Sequence, residues 1–182
     1  MKKRLISILL IIFPYAYIIF FLLAKLISKI GAKWIDSEMQ SNLFILITVI
    51  YVVLAFVFSI YNAVSCARGN ISAYETAKIN RNIKCWHIPA YIFHFFIGCF
   101  GLIMGPFGIG IILFVFIINA ASIFISGINS IGCAVKLKKE NVLSPFSAFV
   151  GAVGSFIFFI DIFVSIIYVI LCKRNRSHSY FK

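Results

Sequence analysis

Residues 88–135 read IPAYIFHFFIGCFGLIMGPFGIGIILFVFIINAASIFISGINSIGCAV, without a single Asp, Glu, Lys or Arg. Crossing about 30 Å of hydrocarbon takes roughly 17–25 helical residues. Two such runs lie here, 88–104 and 107–135, parted by Gly105 and Pro106. Gly and Pro mark turns, so the runs are expected to close a tight helical hairpin. Water cannot hold such a stretch in the open, and in lipid only a helix or a closed barrel satisfies the backbone.

Working outward, three further apolar runs occur at 5–24, 43–64 and 145–171. The chain is 63% hydrophobic and 12% charged. Soluble domains run near 45–50% apolar and about a quarter charged, so this chain has too few polar residues to coat a water-facing surface. The expected fold is all-α: one polytopic transmembrane bundle over 1–182, with about five spans. The first run follows Met-Lys-Lys-Arg, but it is too long for a signal peptide and lacks an A-x-A-like site; it reads as a retained anchor, kinked at Pro14. Lys25, Lys29 and Lys33 recur at steps of four beside Ile27, Ile30 and Trp34. That amphipathic period predicts a helix continuing along the interface.

Lys and Arg number 17 against five acids. The cations cluster beside apolar runs, at Lys2 to Arg4, at Arg68, Lys78, Arg81 and Lys84, at Lys136 to Lys139, and at Lys173 to Arg176. Such clusters meet anionic headgroups at roughly 1 kcal/mol each, so the partner they imply is the bilayer and not nucleic acid. The Lys/Arg bias puts the N-terminus inside the cell. Five spans would then place the basic tail outside, a poor fit. One run failing to span would return it.

Polar and small residues fall in stripes at helical steps. The third span carries His87, Tyr91, His94, Gly98, Gly101, Gly105 and Gly108; the fourth Asn119, Ser122, Ser126, Asn129 and Cys133; the fifth Gly151, Gly154, Phe158, Asp161, Ser165, Tyr168 and Cys172; the second Thr48, Tyr51, Ala55, Ser59 and Asn62. Helices in lipid associate through close packing of small residues and interhelical hydrogen bonds, so these faces point inward as packing seams. Gly98, Gly101, Gly105, Gly151, Gly154, Ser122 and Ser126 are the expected contact residues. A polar cavity is the other reading.

Asp161 is the only acid inside a predicted span, at a cost of roughly 2.5–3.5 kcal/mol for insertion. It needs a proton or a partner. Counted from the outer ends of two spans running the same way, His94 lies at the same depth and is the expected partner. Asn62, Asn119 and Tyr168 are alternatives. No phosphate-binding loop, zinc-hydrolase or serine-hydrolase motif occurs, and the five cysteines show no metal-ligand spacing. No enzyme activity, cofactor or metal is expected. The two N-glycosylation triplets, at Asn70 and Asn175, are of a kind that arises by chance.

The segments His87-Ile-Pro-Ala-Tyr91, Ile125-Ser-Gly127, Lys136-Leu-Lys-Lys-Glu140 and Phe159-Ile-Asp161-Ile-Phe-Val-Ser165, around the Gly105 turn, resemble a group of small uncharacterised bacterial polytopic membrane proteins. The resemblance covers roughly the last hundred residues. It implies a bacterial cytoplasmic membrane and an acid in the final span, and carries no activity. Two functions follow from the residues. The first is a non-enzymatic component working by lateral association: an accessory subunit, an immunity-type protein or a homo-oligomer. The second is a small transporter or proton-linked carrier using Asp161 and His94, with Asn119 and Asn129 along the path.

Overall fold

The computed structural model describes residues 2–29, 37–69 and 71–179, and every regular element among them is helical. In chain order these are α1 (Lys2–Ile12), α2 (Ala16–Lys29), α3 (Ser37–Arg68), α4 (Ala73–Ile103), α5 (Ile109–Lys139), α6 (Pro145–Gly154) and α7 (Ile160–Ser179). A 3-10 turn at Phe13–Tyr15 joins α1 to α2, and another at Gly105–Gly108 joins α4 to α5. Four stretches are long and apolar enough to cross a membrane: Ile6–Leu23, Ser41–Arg68, Ala73–Ile103 and Gly105–Lys139. The protein is an all-α membrane bundle. The amphipathic stretch predicted after the first span is helical as far as Lys29; positions 30–36 lie outside the described residues.

Proline sets the first packing contact. Pro14 has no N–H, which leaves the carbonyl of Leu10, four residues back, without its helical partner. His87 on α4 fills the gap, its Nε2 donating to that carbonyl at 2.9 Å. Seven residues on, Tyr17 Oη meets His94 Nε2 at 2.8 Å, so α1 and α2 run parallel to α4. On the other flank α3 runs parallel to α5: Ser59 Oγ donates to the Ile125 carbonyl at 2.5 Å, and Lys139 Nζ to that of Ala67 at 3.1 Å. Gly132 seats directly on the Ala63 backbone between them, where a Cβ would clash. The expected hairpin forms at Gly105, whose φ of +60° reverses the chain, and Gly101 and Gly108 meet backbone to backbone beside it.

The fifth apolar run departs from expectation. It is not one spanning helix but two helices, α6 and α7, folded back on each other around residues 155–159. α6 stops at Gly154, where the Ser155 N–H and Oγ both bond back to the Gly151 carbonyl. Phe159 then takes a φ of +64°, a left-handed conformation that costs a non-glycine residue about 1–2 kcal/mol. The chain reverses and α7 returns beside α6, with Gly151 against the Tyr168 ring and Gly154 against Val164. α7 is therefore antiparallel to α4, not parallel as the five-span reading required. Tyr91 and Ile162 share one cluster, while Ala73 and Ala77 pack with Tyr168, Val169 and Cys172 in another.

This hairpin sorts the charge. Arg68 ends α3, Lys78 and Arg81 lie in the first turns of α4, and Lys136, Lys138 and Lys139 end α5. α7 carries Lys173, Arg174 and Arg176 to that same end, beside Ser72 and Ala73. The misfit of a basic tail on the opposite side disappears.

Candidate functional site: a buried lysine–aspartate pair

α4 presents Thr76, Asn80, Lys84, His87, Tyr91 and His94 to the bundle interior, all buried, at steps of three and four. Lys84 is the residue that the stripe in the sequence stopped short of. Its Nζ lies 3.1 Å from Asp161 Oδ2, and both side chains are 0% exposed. An ammonium has three protons to donate. Lys84 places them on Asp161, on Ser126 Oγ at 3.3 Å and on the Ser155 carbonyl at 3.4 Å.

The broken helix builds this site. α6 ends in carbonyls, one of which, Ser155, accepts from the cation. α7 begins with amide N–H groups, and Asp161 sits in its first turn, where the helix dipole favours negative charge. Two half-helices thus present their matching ends to opposite charges at one tip, the arrangement by which discontinuous membrane helices hold ions. Ser155 is fully buried and its carbonyl is satisfied by Lys84, whereas Ile157, Phe158 and Phe159 at the tip are exposed. Counting from Ser126, the pair lies ten residues, about 15 Å, from Lys136 at the basic end of α5.

The surroundings are polar and only partly matched. Among the described residues, Asp161 Oδ1, Tyr91 Oη and His87 Nδ1 are buried without a hydrogen-bond partner, as are Asn80 Nδ2 and Tyr168 Oη. Tyr91 bridges outward through its ring, 5.0 Å from that of Phe158.

His94 is not the partner of Asp161. It lies ten residues beyond Lys84 on α4, about 15 Å away along the axis. Asp161 does not share the depth of His94, because α7 runs from Asp161 toward the basic end. His94 instead holds Asn119 Oδ1 through Nδ1 at 2.6 Å and Tyr17 through Nε2. Asn119 also lines a cavity of about 510 Å³. Asn62 and Asn129, expected near Asp161 or along its path, meet each other across α3 and α5 at 2.8 Å.

Among the expected packing residues, Gly101, Gly151 and Gly154 make close contacts, and Ser122 and Ser126 are fully buried. Gly98 and Gly105 have no heavy atom within 4 Å of a would-be Cβ, so they are not contacts; Gly105 serves the turn through its φ.

The fold and its charged core together define an all-helical, multi-helix membrane protein with an ion pair in its interior. No family model, curated protein or solved structure matches the chain.

Proposed function

We propose that this is a small, non-enzymatic, proton-linked carrier of a bacterial cytoplasmic membrane, with both termini cytoplasmic. The observation that carries the reading is the fully buried Lys84–Asp161 pair at the tip of a broken helix. Ionisable residues inside a membrane protein are expensive and mark ion and proton routes by default. A buried pair is also poor stabilising material, since apolar replacements of similar volume are often neutral or better. Stability alone is therefore weak grounds for such a pair, which favours a working role. In this reading Lys84, and not His94, is the partner of Asp161. The cytoplasmic placement is supported by the basic residues gathered at one end, following the positive-inside bias.

The test is reconstitution in liposomes holding a pH-sensitive dye. Wild-type protein dissipates an imposed pH gradient, and Asp161→Asn does not. The decisive variant is Lys84→Met with Asp161→Leu, which removes both charges and leaves neither orphaned. It folds and carries no protons if the pair is a working part. Flux retained by the double variant would reduce the pair to a structural pin.

A second reading is lateral association, as an accessory, immunity-type or homo-oligomeric component. Most small-residue stripes that suggest it are used inside the bundle. Gly98 and Gly110 are the specific support, since both leave open space where another helix could approach. Native mass spectrometry in mild detergent decides it: a defined oligomer or a co-purifying subunit favours association, and a bare monomer counts against it.

A further inference from the structure

The cavity of about 510 Å³ lies between α5 and the tip of the α6–α7 hairpin, lined by Phe116, Asn119, Ala120, Phe124, Phe156 and Phe158 among others. It falls within the usual range of ligand pockets, which are mostly apolar with a few placed polar groups. Its inner wall is made of packed rings, while Phe116, Phe124 and Ala120 are exposed and leave it open toward the lipid. Phe156 tucks over Gly127, where any Cβ would strike the ring, and packs 5.7 Å from Phe124. Phe124 in turn stacks on Phe56 at 6.3 Å with the planes 7° apart.

One polar side chain faces this aromatic space. Asn119 Oδ1 is taken by His94, and its Nδ2 has no protein partner among the described residues. An amide nitrogen donates only, so the matching group on an occupant is an acceptor. A carboxylate or an amine does not fit, for the walls offer no charge. Four phenyl rings favour a flat aromatic body in offset or edge-on contact. Asn119 lies ten residues, about 15 Å, inside the start of α5, deeper than the ester oxygens of an ordinary phospholipid.

We propose that this cavity binds an uncharged aromatic carbonyl compound drawn from the bilayer, its oxygen accepting from Asn119 Nδ2. The floor of the cavity is the hairpin tip itself. Phe156 follows Ser155, which holds Lys84, and Phe158 packs on Tyr91. An occupant therefore presses on the segment that carries the ion pair. That such a compound is what proton movement drives rests on the carrier reading; the binding does not.

Benzophenone serves as the probe, being an uncharged aromatic ketone that crosslinks on illumination. It is applied without a pH gradient to the full chain in nanodiscs, with peptide mapping. Labelling that fluorenone competes is expected on residues 116–124 and 156–158, with diphenylmethane, which lacks the carbonyl, competing at least several-fold more weakly. Ala120→Trp, on an exposed wall position, should cut this labelling tenfold or more. Asn119→Leu should cut it several-fold. Labelling spread evenly over the lipid-facing side of α3 and indifferent to Ala120→Trp overturns the site. Equal competition by fluorenone and diphenylmethane overturns its carbonyl specificity. A cavity that labels as expected in a protein without proton flux would instead sink the carrier reading and leave the binding site standing.

Discussion

Two polar layers hold this bundle together, and they are built differently. Between α3 and α5 the layer is neutral. Asn62 Nδ2 donates to Asn129 Oδ1 at 2.8 Å, and Asn129 Nδ2 donates to Ser59 Oγ at 3.0 Å and to the Ile125 carbonyl at 3.3 Å. Among the buried side-chain atoms without a partner, none belongs to these residues. Between α4 and α7 the layer is charged, and Asp161 Oδ1, Tyr91 Oη and His87 Nδ1 are left over. A closed amide network is what packing alone demands. A charged centre with unused hydrogen-bonding capacity is more than packing alone demands, and it is the feature on which the proposed carrier reading rests. The same membrane physics thus yields a satisfied seam in one place and a charged, partly unmatched centre in the other.

The comparison breaks most visibly when one charge is removed. Lys84→Met alone leaves Asp161 buried and unpaired, and should cost about 3–5 kcal/mol, measured as unfolding in mixed micelles. The Lys84→Met, Asp161→Leu double variant should recover to within about 2 kcal/mol of wild type. If the single and double variants unfold alike, the two charges are not coupled. Gly151→Val sharpens the packing side, because its side chain enters the space of the Tyr168 ring. Overpacking of that kind should cost about 1–3 kcal/mol and loosen the hairpin, read as increased proteolysis near residues 155–159.

The neutral seam answers more quietly. Asn129→Leu breaks interhelical bonds that average about 0.6 kcal/mol each in membranes, so a loss of about 1–2 kcal/mol is expected. Proton flux should stay at the wild-type rate, and its disappearance would mean that the two layers are one network. The smallest effect belongs to Phe159→Gly. It relieves the left-handed backbone and should leave stability unchanged or raised by about 1 kcal/mol.

Much of this was legible in the residues, and the failures have physical causes. The charge-free stretch 88–135 implied the α4–α5 hairpin, and the cost of an isolated acid singled out Asp161. Its partner was missed because Lys84 sits among other cations at the edge of an apolar run and was grouped with headgroup contacts. The helical period ran straight through it, from Asn80 to Lys84, His87, Tyr91 and His94. The break at residues 155–159 was harder to see. Hydropathy does not distinguish a helix that crosses from two that turn back, and the reversing residue is Phe159, which no turn rule selects. One signal did point there: a basic tail stranded on the wrong side.

The side on which the tail emerges tests the central claim most directly. Single cysteines at Lys138 and Asn175, in a background without the native thiols, report through a membrane-impermeant maleimide on intact and inverted vesicles. Both should react from the same face, since α6 and α7 enter and leave together. Labelling from opposite faces would mean that the fifth run crosses the bilayer, and that Asp161 never reaches Lys84.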